Sequence, residues 1–248
     1  PPDRCFTDPG GSRYFQYDTV LMIRASDVTI KNLQIEGNEV KCQFEGRGGI
    51  FSGIVVTDPN VHINNVKIFG LINKGIVIDS GIIENSSIEN GSGDYSTGIS
   101  FRGGIIKNNE IFNIHNDAYG ELSATGNQGV GIRCFNPIGE PTIFGNNIHH
   151  NEIGSNLGNC NNIKFTDNVV QNNKIGIISK AFHYQNSFLN NEQQVAPSSD
   201  GNVGGIWHDF EKGGNYWDDY DSYEEGCIDE TYDNICDDPY GIATSDDD

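Results

Sequence analysis

The C-terminal run DETYDNICDD carries the clearest pattern for chemistry in this chain. Asp229, Thr231, Asp233 and Asp237 place side-chain oxygens at loop positions 1, 3, 5 and 9. The carbonyl of Ile235 stands at position 7. That is the first part of a calcium loop, and calcium is the cofactor this spacing predicts. Asn234 can take the left-handed turn usually given to glycine. Tyr240 stands at position 12, where a bidentate Glu is usual, so the remaining ligand must come from Asp218, Asp219, Asp221, Glu224 or Glu225. The alternative is an acidic, solvated turn held by cysteines alone.

A second set of residues is suited to sugar cleavage. Asp94, Tyr95 and Arg102 flank one turn and strand, and His115 and Asp117 follow one coil later. Asp79 and Arg133 are further candidates. Hydrolases of carbohydrate need paired carboxylates at a set separation. No repeated Asp occupies neighbouring coils here, so ordinary turn residues are the simpler reading and no catalytic set is assigned. Copper would favour Met, Cys and His. The chain has one Met, and His149-His150 is the one adjacent His pair. In extended backbone those two side chains face opposite ways, and the pair reads as solvated.

The elements that must position these residues follow from a repeat. The steps GIVV, GIVI, GISF, GIRC, GSNL and GIIS begin at Gly53, Gly75, Gly98, Gly131, Gly154 and Gly176, with spacings of 22, 23, 33, 23 and 22. Between them stand phrases such as VHINNVKI (61–68) and GIIKNNEI (104–111), with alternating apolar residues and an Asn near the end. A fixed period near 22 with alternation predicts short stacked strands. The fold class expected is all-β, a right-handed parallel β-helix of about 22-residue coils. Ile54, Ile76 and Ile99 should face inward one above another. Asn should stack at the turns, where its amide bonds along the ladder and its backbone tolerates the left-handed region. Phe44, Phe51, Phe69, Phe101 and Phe165 read as core fillers. The 33-residue interval carries an insertion over 115–131, expected to project as a loop.

Charge divides the chain. Net charge is −20, yet residues 209–248 hold 15 of the 35 acids and a single base, Lys212. Three regions follow: 1–19 as an N-terminal cap or join, 20–208 as the parallel β-helix, and 209–248 as an acidic cap. Trp217 and Tyr220 would seal the last coil. Nothing neutralises phosphate, so nucleic acid is excluded as a partner. No apolar run approaches a membrane span. With no initiator Met or signal peptide, a mature or excised piece of a larger chain is expected.

Six cysteines without CxxC spacing favour disulfides. Pairing neighbours gives Cys5–Cys42, Cys134–Cys160 and Cys227–Cys236, although their order leaves other connectivities open. Disulfides predict an extracellular, cell-surface or periplasmic location. Asn85-Ser86-Ser87 and Asn90-Gly91-Ser92 are acceptor sequons for glycosylation.

These phrases resemble the right-handed β-helix repeats of the NosD-like family of carbohydrate-binding and sugar-hydrolase-type surface proteins. The ending GGNYWDDY…CDDPYGI resembles that family's GNYW-x-DY…DGDGIGDTPY-x-I ending, common in archaeal secreted proteins. Asn234 and Cys236 stand where the family has glycines, and Thr231 where Asp is usual. The resemblance spans about residues 20–242. It implies a non-catalytic surface protein that binds carbohydrate or other surface proteins, or builds an extracellular layer, filament or homo-assembly. A lyase or hydrolase acting on acidic glycans is the alternative it implies, and a periplasmic copper-related accessory protein is a third.

Overall fold

The computed structural model describes residues 18–37, 51–70, 73–91, 96–116, 129–160, 162–198, 205–207 and 213–225. Among these the protein is nearly all β, with no α-helix and one 3₁₀ turn at Tyr223–Glu225. Every strand pairing recorded is parallel, and the strands form two sheets.

The first sheet stacks β1 (Asp18–Ile23), β3 (Phe51–Val56), β5 (Lys74–Ile78), β8 (Thr97–Phe101), β11 (Val130–Cys134), β14 (Ile153–Leu157), β17 (Ile175–Ser179) and β20 (Gln193–Ala196) in that order. The second begins with two long strands, β2 (Thr29–Glu36) and β4 (Val61–Phe69). Beyond β4 it divides into two arms, because β4 pairs with both β6 (Gly81–Glu84) and β7 (Ser87–Glu89). One arm continues through β9 (Ile105–Lys107), β12 (Thr142–Phe144), β15 (Lys164–Thr166) and β18 (Phe182–Tyr184). The other continues through β10 (Glu110–Phe112), β13 (Asn147–His149), β16 (Val169–Gln171), β19 (Ser187–Leu189) and β21 (Tyr216–Trp217).

Alternation dictates the faces. Ile54, Ile76, Ile99 and Ile132 stand in register, each 0% exposed. The column continues through Ser155 and Ile177 to Val195. Ile63, Ile83, Ile106, Ile143 and Phe165 form a matching column in the second sheet. Each such side chain contributes roughly 1.5–3 kcal/mol by leaving water. Phe101 and Phe165 fill the core as expected. Phe69 does not: the alternation of β4 turns it outward, where the Lys67 ammonium lies 5.2 Å from its ring centroid. Phe44 and the Phe51 side chain lie outside the described residues.

Glycine is required where the second sheet's arm meets the first. A Cβ on Gly98 would stand 2.6 Å from the Gly131 carbonyl oxygen and 2.6 Å from Ile111 Cγ2. Gly75 and Gly131 face the same conflict with the carbonyls of Gly98 and Gly154.

The turns assign asparagine two jobs. In the bend that divides the second sheet, Asn65, Asn85 and Asn108 adopt φ of 52°, 51° and 54°. The residue after each bend turns inward, and from Asn109 onward these residues form an asparagine ladder. Asn109, Asn146, Asn168 and Asn186 are buried, and each Oδ1 accepts the backbone N–H of the preceding rung at 3.0 Å. A second ladder, Asn151–Asn173–Asn191, lines the opposite end of that arm. One residue supplies the left-handed backbone and its neighbour supplies the buried amide.

Cys134 and Cys160 form a disulfide with Cα atoms 6.3 Å apart. Cys5, Cys42, Cys227 and Cys236 lie outside the described residues. In the acidic C-terminal region, β21 pairs with β19 and stacks Trp217 on Phe188 at 4.4 Å. Asp218 accepts hydrogen bonds from the Asn190 backbone N–H and from Gln194 Nε2, the latter at 2.6 Å. The acidic run thus begins as one more rung of the sheet. No helix among the described residues is long and apolar enough to cross a membrane.

Candidate functional site

Of the residues singled out for sugar cleavage, Arg102 and Asp79 come together and His115 stands apart from them. Arg102 follows β8, where its Nη1 lies 3.5 Å from Asp79 and its Nε donates to the Asn136 carbonyl. His115 lies at the other end of that strand, where its carbonyl accepts from the Ser96 hydroxyl. Five strand residues separate the two ends, about 17 Å. Asp94, Tyr95 and Asp117 lie outside the described residues, as do the calcium-loop residues Asp229, Thr231, Asp233, Ile235 and Asp237. Near the His115 end, burial lowers the Lys74 pKa, and the Arg133 charge lowers it further.

An open groove runs along the bend of the second sheet. One side is the left-handed turn column Asn32, Asn65, Asn85, Asn108 and Gly145. The other is the outward column Gln34, Lys67, Ser87, Glu110 and Asn147, whose members are in register. Five rungs at the spacing of paired strands make a groove about 19 Å long. At its first two rungs the amides bond to each other, Asn65 Nδ2 donating to Asn32 Oδ1 at 2.7 Å. Asn85 and Asn90, the two sequon asparagines, are both exposed turn positions, and Asn85 lines the groove.

Charged groups beside the groove are paired locally. Lys67 meets Glu89 at 2.8 Å. Glu84, on the neighbouring arm, accepts from Lys107 Nζ at 2.7 Å, Asn64 Nδ2 at 2.8 Å and the His62 ring at 2.7 Å. The Lys107 hydrogen bond, then that from His62, holds the Glu84 carboxyl below its usual range. It is ionised at neutral pH and has no proton to give as an acid.

The next column of the arm brings together residues that look unrelated in the sequence. Phe112 of β10 stacks on His149 of β13 at 4.9 Å, with 11° between the rings. His149 Nε2 lies 3.2 Å from Glu110 Oε1, and its Nδ1 lies 2.8 Å from His150 Nδ1. The His150 ring is exposed, as expected, but the two rings do not face opposite ways. His150 has φ of 55°, so the chain is not extended and its ring swings back to meet its neighbour. The missed signal is position: His150 holds the turn place after its strand that Asn113 and Asn172 hold after the neighbouring strands.

The buried pair His183–Ser179 lies deeper. His183 is 0% exposed, takes the inward column place below Phe165, and meets Ser179 Oγ at 2.7 Å. Its ring stacks on Trp207 at 4.1 Å. Burial depresses its pKa to about 3, so it is neutral. Enclosed between Phe165 and Trp207, it is a core group and not a surface base.

Among the described residues, no group of three or more His, Cys, Asp and Glu is placed to hold a metal ion. Compared with protein-family models, curated proteins and solved structures, the chain matches none.

Proposed function

We propose that the protein is an extracellular or cell-surface right-handed parallel β-helix that binds a neutral polysaccharide without cleaving it. The amide-lined groove carries this reading. Its rungs repeat planar groups that both donate and accept, which suits the paired hydroxyls of sugar rings. A ligand that repeats along its length can meet the same amide at successive rungs. Lys67 in the groove is paired with Glu89, and Glu110 with the chain's net charge of −20 disfavours uronate polymers. The Cys134–Cys160 disulfide supports an oxidising location.

The test is affinity electrophoresis through gels holding a neutral or an acidic polysaccharide. Neutral polymers should retard the parent. The double variant Asn65→Gly, Asn85→Gly keeps the left-handed backbone while deleting two amides, and should weaken binding at least tenfold. Failure of every neutral polymer to bind, or equal retardation of the variant, sinks the reading. Release of new reducing or unsaturated ends would favour the hydrolase or lyase alternative instead. A glycan on Asn85 would occupy the groove itself, so the reading requires that sequon unmodified.

The calcium reading of Asp229, Thr231, Asp233, Ile235 and Asp237 stands on their spacing. Dense like charge costs about 1 kcal/mol per close exposed pair in water, and a divalent ion relieves it. Chelator should lower the thermal midpoint of the parent and leave Asp233→Ala unaffected. An unchanged parent midpoint would reduce these acids to a solvated surface.

A further inference from the structure

We propose, on the polysaccharide reading above, that recognition in the groove is confined to the rungs of Asn85, Asn108 and Gly145, with Asn108 as the specificity-determining residue. The turn amides share one sense. Asn65 Nδ2 donates to Asn32 Oδ1 at 2.7 Å and Asn85 Nδ2 to Asn64 Oδ1 at 3.5 Å, each toward the preceding coil. Asn113 does the same to Asn90 in the neighbouring turn column, at 3.2 Å. Asn108 keeps this sense, because its Oδ1 lies against Gly145 of the next coil. A Cβ at residue 145 would stand 2.5 Å from that oxygen. Glycine at the fifth turn position is what leaves the acceptor open. Asn108 is exposed, and its side-chain amide makes no hydrogen bond among the described residues.

An amide already bonded to its neighbour gives up one hydrogen bond to gain another, so the Asn32–Asn65 pair offers a ligand little net gain. The Asn108 amide exchanges only water. Across the groove stand Glu110, on the same rung, and Asn147, one rung further. Glu110 meets His149 through Oε1 and keeps Oε2 for a hydroxyl donor, a charge-assisted hydrogen bond. Asn147 Oδ1 accepts from Gln171 Nε2 at 3.0 Å, which leaves Nδ2 to donate. One sugar hydroxyl can accept from Asn108 Nδ2 and donate to Glu110 Oε2. A second can donate to Asn108 Oδ1 beside Gly145. The three rungs span about 10 Å, a short stretch of a polymer rather than the whole groove.

The experiment is affinity electrophoresis of the whole chain through gels holding neutral glucan, mannan or xylan. Asn108→Gly keeps the left-handed backbone and should weaken retardation roughly tenfold or more, whereas Asn32→Gly should change it by less than about twofold. Gly145→Asn adds an amide to the column and suits the left-handed turn, but its Cβ displaces Asn108 Oδ1. Its binding should therefore fall, although a simple count of amides predicts a gain. Tighter or equal binding by Gly145→Asn overturns the inference and leaves the groove reading in place, as do equal losses for Asn32→Gly and Asn108→Gly. If no gel retards the parent, both fall together.

Discussion

Asn109 directs two donors, its backbone N–H and its side-chain Nδ2, at a single acceptor, Oδ1 of Asn146, each at 3.0 Å. Asn146 in turn donates through Nδ2 to the carbonyls of Ile106 and Phe144 at 3.0 and 3.1 Å. The ladder satisfies the backbone groups that each bend removes from strand pairing.

Asn146→Ala should therefore lower unfolding free energy by about 2–4 kcal/mol, since a buried N–H and a carbonyl lose their partners. Asn108→Gly, at the exposed left-handed position one residue before the ladder, should cost no more than about 1 kcal/mol. Urea unfolding of both variants checks the division of labour. Equal effects would contradict it.

Gly98→Ala should destabilise by about 1–3 kcal/mol through overpacking. The new methyl meets the Gly131 carbonyl oxygen and Ile111 Cγ2, both at 2.6 Å, and neither can move without shifting a strand. Gly139→Ala is the comparison. There φ is 70° but nothing lies within 4 Å, so only backbone strain is added.

His183 sets a pH dependence. Its folded pKa of about 3 lies below the 6.5 of the unfolded chain, so the unfolded state binds more protons between these values. Stability is whole above about pH 6.5 and is lost as pH falls toward 3, at up to about 1.4 kcal/mol per unit. Between pH 8 and 5 the loss from this group should be about 2 kcal/mol. His183→Phe, the residue type its column holds at Phe165, should flatten that slope when unfolding is measured at both pH values. An unchanged slope would move the dependence elsewhere.

The Cys134–Cys160 bridge closes a separation of 26 residues. Chain-entropy reasoning assigns it about 3.5 kcal/mol. The double variant Cys134→Ala, Cys160→Ala should lose at least that much in denaturant unfolding, because both positions are also buried. Peptide mapping of the unreduced parent should recover the two cysteines in one linked fragment.

What the sequence determines by itself is whatever depends on local alternation. The period from Gly53 to Gly176 and the alternating aliphatics carry the all-β reading and the inward faces of Ile54, Ile76 and Ile99. Inward or outward placement in a strand needs only odd and even positions. Contacts across the ladder need more, because each depends on how many residues the chain spends returning to the same place. Glu110 and His149 stand 39 residues apart, across the 33-residue interval, and no local pattern sets their register. The same holds for the groove, whose walls come from five successive rungs. The asparagines were legible as a motif but not as two tasks, since at Asn108–Asn109 adjacent identical residues give no hint of which one bends the chain. Only stacking decides it: one amide must leave the surface to serve the rung above, and the left-handed turn before it is what turns that amide inward.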